Sequence, residues 1–172
     1  MSQSGIPSWR IGHGFDVHRF SDEFLPEKPL KLAGMILPDQ KSLLAHSDGD
    51  AVLHAVCDAI LGAIAAGDIG QHFPDTDDSL ANVDSVVLLQ EVLDKADKNG
   101  FQPINVDVTL IAQVPKLAPH RQKMVARLAE LLHLDTDRVN LKATTTEGMG
   151  YIGREEGLAC HAVVLMAAAG QE

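Results

Sequence analysis

AVLHAVCDAILGAIAA, residues 51–66, is the stretch that decides the architecture of this chain. The run is too long for an ordinary strand and is apolar on nearly every side, which predicts a helix buried in the interior. Ser47, Asp48 and Asp50 lie just before it, and all three are residue types that cap helix N-termini. A buried helix from about residue 50 to residue 66 is therefore expected.

Strand-like patterns occur on both sides of this helix. Residues 104–112, INVDVTLIA, alternate strictly, and residues 139–144 alternate again. Residues 158–168 form an apolar run long enough to be a final, central strand. Residues 9–20 and 30–37 also alternate and are separated by prolines, which predicts a hairpin or two edge strands.

Two more helices complete the predicted elements. The first begins near residue 83 and ends at Asn99 and Gly100, a common stop signal. The second is indicated by apolar residues at helical spacing, namely Met124, Val125, Leu128, Leu131 and Leu132. The predicted fold is therefore of the α/β (α+β) class, one sandwich in which a mixed sheet of roughly four main strands carries three helices on one face.

Composition limits the classes of protein to consider. The chain has 172 residues, 45% of them hydrophobic, which suffices for one domain with a sizeable core. Its formal charge of −10 argues against an extended surface for nucleic acid or for anionic membranes. The apolar runs fall short of the ~20 residues that cross a bilayer, and residues 1–10 lack a signal-peptide core, so a cytoplasmic protein is expected. Cys57 and Cys160 lie inside apolar runs, which indicates buried thiols.

Acidic residues dominate the stretch between Lys41 and Lys95, which holds ten carboxylates and no lysine or arginine. Such a segment is either a solvated acidic face or a segment that needs a cation. Charge alone leaves both interpretations open.

Two short patterns together suggest a metal site. Asp16 and His18 are two residues apart on a predicted strand, so their side chains share one face. Asp50, His54 and Asp58 repeat every four residues on the apolar helix and form one polar stripe. An ion pair and a satisfied core histidine are the ordinary alternatives. Taken together, however, two imidazoles and one carboxylate suit a Zn²⁺ site with an open fourth position.

Other polar residues lie where phosphate or a hard cation could bind. His46 and Ser47 precede the buried helix, whose N-terminus attracts anions, although Ser47 could serve only as a cap. A predicted strand ends in three threonines and Glu147, a plausible site for a cation and phosphate. Arg154, close to Glu155 and Glu156, could be an ordinary surface residue in a salt bridge.

Five long motifs, in this order, resemble the 2-C-methyl-D-erythritol 2,4-cyclodiphosphate synthase family of the non-mevalonate isoprenoid pathway. They are GHGFDVHRF (12–20), LAHSDGDAVLHAVCDAILGA (44–63), GDIGQHFPDTD (67–77), NVDVTLIAQVPK (105–116) and NLKATTTEGMGYIGREEGLAC (140–160). The resemblance spans nearly the whole chain. It implies a single synthase domain at residues 10–169 after an N-terminal extension at residues 1–9.

The resemblance also implies a role for individual residues. The metal ligands would be Asp16, His18 and His54 for Zn²⁺ or another divalent cation, and Glu147 for Mg²⁺ or Mn²⁺. His46 and Thr145 would stabilise the transition state. Residues expected to bind the methylerythritol phosphate are Ser47, Asp68, Gly70, Phe73, Asp75 and Asp77, while Asp16 and His18 meet the substrate's phosphate. Residues expected at the cytidine diphosphate are Ala112, Lys116, Ala118, Thr144, Thr146 and Glu147.

The family further implies a ferredoxin-like protomer in a homotrimer, with active sites between subunits. Phe15 and Arg154 match positions that line a central cavity able to hold an isoprenoid diphosphate. Arg154 is also expected to bind the substrate, as is Tyr151, which stands where the family often has phenylalanine.

The implied reaction converts 4-diphosphocytidyl-2-C-methyl-D-erythritol 2-phosphate into the 2,4-cyclodiphosphate and CMP, with that cytidine diphosphate-linked molecule as the small-molecule partner. Two alternatives stay open on the residues themselves. One is a zinc phosphoesterase, in which a bound water attacks. The other is a non-catalytic trimer that binds an isoprenoid or a nucleotide.

Overall fold

Residues 8–168 are described by a computed structural model, in which one mixed sheet carries helices on a single face. The strands are β1 (Trp9–Phe20), β2 (Lys31–Leu32), β3 (Met35–Ile36), β4 (Leu43–Leu44), β5 (Phe101–Ile111), β6 (Val139–Thr144) and β7 (Gly157–Ala168). The helices are α1 (Ala51–Ala63), α2 (Ile69–His72), α3 (Ser85–Lys98), α4 (Arg121–Leu132) and α5 (Gly150–Gly153). The α/β class and the three main helices α1, α3 and α4 agree with the sequence-based expectation.

The main sheet has five strands in the order β4-β1-β7-β5-β6. Four of them are the long strands that were expected, and the fifth, β4, adds only two residues at one edge. β7 lies in the centre and runs antiparallel to both β1 and β5, while β5 and β6 are parallel. The central position predicted for residues 158–168 is therefore confirmed.

The expected hairpin between residues 9–20 and 30–37 does not form. β1 pairs with β7 along most of its length and with β4 only at Arg19 and Phe20, so most of β1 is an edge of the main sheet, as the alternative expectation has it. Residues 30–37 form a separate small hairpin, β2–β3, whose turn residues Ala33 and Gly34 have φ of 57° and 71°. Positive φ at both turn positions is typical of the two-residue turns that join the strands of a hairpin. In this hairpin β2 pairs with β3 and not with β1.

α1 packs directly on the backbone of β1. A β-carbon added to Gly12 would lie 1.7 Å from the carbonyl oxygen of Ala59, and one added to Gly14 would lie 1.9 Å from that of Ala55. The absence of side chains at these two glycines lets helix and strand approach closely. The approach brings the two polar residues at the end of β1 next to His54 on α1.

The polar stripe expected on α1 does not face one common partner. Asp50 is fully buried and caps the helix, accepting hydrogen bonds from Val52 N and Leu53 N at 3.1 Å each. It also accepts from the backbone of the β2–β3 turn, at Ala33 and Gly34, and burial raises its pKa. Asp58 accepts instead from Ile69 N at 2.7 Å. His54 contacts Asp16 of β1, whereas Asp50 and Asp58 accept hydrogen bonds from loop backbone.

The face of the sheet opposite the helices is open in the described part of the chain. Ile11, Phe15 and Val17 of β1 lie on it and are 71%, 44% and 44% exposed. Phe15 thus points away from the metal ligands, as its place beside Asp16 predicts, and its ring contacts His161 of β7 at a centroid distance of 4.7 Å. An apolar strand face this exposed suits contact with another protein surface.

Across residues 8–168, no helix combines the length and apolar character needed to span a membrane. Cys57 and Cys160 are free and buried, and burial raises the pKa of both thiols. Of the expected extension, only Ser8 and Trp9 are described, and Trp9 already belongs to β1. The domain bounds at 10 and 169 stay predictions.

Candidate active site

Asp16, His18 and His54 place one ligand atom each at a common point. His18 Nε2 lies 2.9 Å from Asp16 Oδ2 and 3.1 Å from His54 Nδ1, and His54 Nδ1 lies 3.2 Å from Asp16 Oδ2. β1 supplies the first two residues on one face, and α1 supplies the third at its first turn. The cluster expected from sequence spacing is therefore confirmed as a cluster.

The outer nitrogen of each imidazole is committed to a hydrogen bond away from this point. His18 Nδ1 is 3.2 Å from the carbonyl oxygen of Leu44, which can only accept, so Nδ1 carries the proton. His54 Nε2 is 2.9 Å from the hydroxyl of Ser85 on the opposite side of its ring. The inner nitrogens are therefore the atoms free to bind a cation.

The three inner atoms fit a tetrahedral metal ion. Ligand atoms about 2.0–2.1 Å from such an ion are separated from one another by about 3.3 Å. The observed edges of 2.9, 3.1 and 3.2 Å are close to that value, and two imidazoles with one carboxylate are a common zinc donor set. The residues therefore fit the implied metal and leave a fourth position open to a ligand.

Electrostatics at the cluster favour positive charge. Burial raises the pKa of the Asp16 carboxyl, but hydrogen bonds and charge interactions with His18 and His54 outweigh it and hold that pKa well below its usual range. Burial lowers the pKa of His54, but Asp16 outweighs it and raises that pKa. The anionic carboxylate thus attracts either a proton or a metal ion to the His54 imidazole, and a bound metal would displace that proton.

A pocket of about 370 Å³ opens beside the cluster. The predicted site residues that line it are Asp16, His18, His46, Ser47, His54, Gly70, Phe73 and Asp75. Sequence reasoning missed its apolar wall, formed by Leu44, Ile69, Leu80, Val83 and Leu88. No sequence signal separates these residues from core residues, because apolar positions look alike until the fold shows which ones face a cavity.

Asp68 and Asp77 do not line this pocket. Asp68 caps α2 by accepting from Gln71 N at 3.0 Å, and Asp77 accepts from Ser79 N at 2.9 Å. The two bonds from Ser79 lower the pKa of Asp77. His46 Nε2 donates to the Asp77 carbonyl at 3.1 Å, so Asp77 contacts the pocket residue His46 through its backbone.

A second pocket, of about 210 Å³, gathers the residues predicted for cytidine and phosphate. Ala112, Lys116, Ala118, Thr144 and Thr145 line it, together with Gln113. Thr145 Oγ1 donates to Glu147 Oε1 at 3.0 Å, and Gln113 Oε1 accepts from Thr146 N at 3.1 Å. Glu147 is exposed and has a φ of 52°, so its carboxylate stands on a tight turn at the end of β6.

The two pockets lie far apart within one chain. The register across the sheet aligns Val17 of β1 with Ala159, Ile111 and then Thr144 of β6. Three strand spacings of ~4.8 Å put Thr144 ~14 Å from the strand that carries Asp16 and His18. Thr145 and Glu147 therefore do not meet the metal cluster of their own chain.

Arg154 and Tyr151 belong to neither of these two pockets. Arg154 Nε donates to Glu156 Oε1 at 2.6 Å, and its side chain borders a third cavity of about 340 Å³ with Lys41 and Glu155. Tyr151 is 44% exposed on α5. The salt bridge that was the ordinary alternative for Arg154 is thus present, with Glu156 as the partner.

Comparison with known proteins identifies the family of this chain. A profile of the YgbB family matches residues 9–167. This chain belongs to the YgbB family. The family resemblance drawn from the five sequence motifs is therefore confirmed.

Several YgbB relatives are close in sequence. 2-C-methyl-D-erythritol 2,4-cyclodiphosphate synthase of Aliivibrio salmonicida is 55% identical over 157 residues, which are 91% of this chain and 96% of that protein. The enzyme of the same name from Vibrio cholerae is also 55% identical, over 91% of this chain and 97% of its own length.

Solved structures share the fold. The bifunctional IspDF of Campylobacter jejuni superposes with a TM-score of 0.87 at 45% identity, over 93% of this chain and 42% of that one. IspF of Plasmodium falciparum, solved as a CDP complex, superposes with a TM-score of 0.82 at 31% identity, over 96% of this chain and 100% of that one.

Proposed function

We infer that this chain converts 4-diphosphocytidyl-2-C-methyl-D-erythritol 2-phosphate into 2-C-methyl-D-erythritol 2,4-cyclodiphosphate and CMP. It is a lyase of isoprenoid biosynthesis by the non-mevalonate route, as its YgbB membership and its relatives at 55% identity show. The observation that carries the assignment in this chain is the meeting of Asp16, His18 and His54 at the mouth of a pocket that also holds His46 and Ser47.

The reaction needs no nucleophile from the protein, because the substrate's own 2-phosphate attacks the β-phosphorus and CMP leaves. The task of the chain is to hold two anionic groups in line and to offset their charge. Zinc at Asp16, His18 and His54 would supply a Lewis acid for a phosphate oxygen. The hydroxyl of Ser47 lines the pocket beside the cluster and can donate to a phosphate oxygen, and the half-buried imidazole of His46 lines the same pocket.

Glu147 is the residue proposed to hold Mg²⁺ or Mn²⁺. Its carboxylate is an oxygen ligand of the kind these ions prefer, and the hydrogen bond from Thr145 orients it. A single protein carboxylate suits an ion whose remaining ligands are water and the substrate's phosphates. Thr145 is the proposed partner of His46 in stabilising the transition state.

We place each active site between two copies of the chain in a homotrimer of ferredoxin-like protomers. Two features support this proposal. The residues proposed for one reaction lie at or near two pockets, beside strands that are ~14 Å apart across the sheet, and a neighbouring copy can bring the second pocket to the first. The open, apolar face of β1 offers a surface for that copy.

Mixing two inactive variants tests the shared site. In trimers co-assembled from His54→Ala and Glu147→Ala chains, about a quarter of the sites would combine an intact metal cluster with an intact Glu147 if association is random. Activity near that fraction of wild type is expected, whereas each variant alone stays inactive. If both pockets act within one chain, the mixture stays as inactive as its components.

Product analysis separates this function from its rivals. Cyclic diphosphate with stoichiometric CMP supports the synthase, and a linear phosphate would indicate a zinc phosphoesterase. Substrate binding without any CMP release, with both metals present, would indicate a binding module.

Two further expectations belong to this proposal. An isoprenoid diphosphate in a central cavity would have to compete with Glu156 for Arg154. The cytoplasmic location is supported by the two free, buried cysteines, which suit a reducing compartment.

A further inference from the structure

The outer side of the His54 imidazole faces a polar group that the reaction does not use. Its Nε2 lies 2.9 Å from Ser85 Oγ and 3.2 Å from Ser47 Oγ. His54 is 8% exposed and Ser85 is fully buried. Ser85 is thus a buried hydroxyl that contacts a residue of the metal cluster 31 positions away in sequence. Groups in such positions commonly orient the ligand that they contact.

The direction of this hydrogen bond follows from its neighbours. The Ser85 hydroxyl also contacts Asp48 Oδ1 in a short hydrogen bond, and a carboxylate can only accept. The Ser85 hydroxyl therefore donates its proton to Asp48 Oδ1, so the Ser85 oxygen accepts from His54 Nε2–H. With Nε2–H directed to Ser85, Nδ1 is the nitrogen that faces Asp16 and His18 and is placed to bind a metal ion.

Asp48 is itself held in place from several directions. Its Oδ2 accepts from Ser85 N at 3.1 Å and from the Lys31 ammonium at 3.2 Å, and its Oδ1 accepts from Asp50 N at 3.2 Å. Lys31 also meets Asp84 at 3.0 Å. The side chains from His54 through Ser85 and Asp48 to Lys31 thus form a continuous chain of hydrogen bonds that ends in a charge.

We propose that Ser85 and Asp48 are positioning residues that fix the tautomer and orientation of His54 for metal binding. The proposal rests on the proposed zinc-dependent function, and it extends that function to two residues with no contact to the metal. Ser47 is the weaker contact, because it is farther from Nε2 and its oxygen already accepts from Gly49 N. Loss of such an outer partner of a metal ligand lowers metal affinity by about 10- to 100-fold.

Zinc affinity of the whole protein, measured by competition with a chromophoric chelator, is the primary test. Ser85→Ala should weaken zinc binding by about 10- to 100-fold, and Ser85→Thr, which keeps the hydroxyl, should restore most of the loss. Ser21→Ala is the matched control. It removes another buried serine hydroxyl, which bonds to backbone carbonyls and not to His54, and it should leave zinc affinity unchanged.

A second measurement distinguishes positioning from a general structural effect. Ring ¹⁵N spectra of the zinc-loaded protein should show His54 in one state, bound to the metal through Nδ1 and protonated at Nε2, in the wild type and a mixture of states in Ser85→Ala. If Ser85→Ala does not fold, Asp48→Asn replaces it, because the amide keeps the shape while the anionic acceptor is lost. Unchanged zinc affinity and an unchanged His54 tautomer in the folded variant would overturn the proposal. A wild-type protein that binds no zinc would instead overturn the proposed metal site.

Discussion

The carbonyl oxygen of Ala55 occupies the space that a β-carbon on Gly14 would need, 1.9 Å from the ideal position. This contact joins the strand that carries Asp16 and His18 to the helix that carries His54. The active site therefore depends on a place where two backbones meet without a side chain between them.

Gly14→Ala should destabilise the protein strongly, because the obstructing atom is helix backbone and cannot turn aside. Overpacking in a core costs about 1–3 kcal/mol, and we expect the upper end of that range or more. Urea denaturation measures the change in unfolding free energy. Gly62→Ala, at an exposed helix position where the nearest atom is 4.0 Å away, should instead stabilise the protein. Equal stability of Gly14→Ala and wild type would contradict the packing described here.

His54→Ala should remove zinc and nearly all cyclisation while the fold persists, because one of three protein ligands is lost at the first turn of α1. We expect zinc affinity to fall by more than the ~100-fold typical of a lost outer partner. Metal analysis, CMP release and circular dichroism measure the three quantities. His161→Ala, which removes an imidazole on the opposite face of the sheet, should keep its zinc. Full zinc content in His54→Ala would show that the ligand assignment is wrong.

Glu147→Gln should weaken the second cation much more than zinc, because a neutral amide oxygen replaces an anionic ligand. Raising Mg²⁺ or Mn²⁺ should then restore part of the rate, and zinc content should not change. Titrating the rate against each metal tests this. Glu130→Gln, on α4 and paired with Arg127, should show wild-type metal dependence. A rate defect that ignores metal concentration would assign Glu147 a different role.

Ile11→Lys should break the proposed trimer, because it places a charge at a 71% exposed apolar position on the open face of the sheet. Sedimentation should give three times the chain mass of 18.5 kDa for wild type and smaller species for the variant. Val87→Lys, at a 49% exposed apolar position on α3, is the control and should remain a trimer. A wild-type mass of one chain would remove the basis for shared active sites.

Ionisation of Asp84 should make the free energy of unfolding depend on pH in the acid range. Partial burial raises the pKa of this carboxyl, but hydrogen bonds from Val86 N and Lys31 outweigh it and lower the pKa below its usual value. Because the folded-state pKa is the lower one, the stabilisation is present above about pH 4 and is lost as the pH falls through the folded-state pKa. Asp84→Ala should cost about 1 kcal/mol near neutral pH through loss of the α3 cap. Denaturation at several pH values measures the difference in unfolding free energy between the wild type and Asp84→Ala. This difference should become smaller in acid. A difference that does not change with pH would contradict the role of the ionised carboxylate.

Local patterns along the chain predict most of the elements, since helix and strand periodicity are properties of neighbouring residues. α1, β6 and the central β7 lie close to where periodicity places them. The pairing of β1 was not predictable in this way, because a strand's partner is chosen by burial and register across the whole sheet. Residues 30–37, the nearer possible partner of β1 in sequence, instead form their own hairpin around the turn at Ala33 and Gly34. β1 pairs with the longer strand β7.

The fold class and the ligand types of the metal cluster follow from residue identity and spacing along the chain, and the family follows from the resemblance of five long motifs. Which polar residues share a site depends on how the chain packs. The tertiary structure separated Asp50, a buried cap, from His54, and it joined His54 to Ser85, which no spacing rule connects. It also placed Thr145 and Glu147 away from the metal cluster of their own chain. For this reason the proposed active site includes residues from a second copy. The physical reason is that hydrogen-bond partners and cavities depend on distances between atoms far apart in sequence, and those distances exist only once the core has packed.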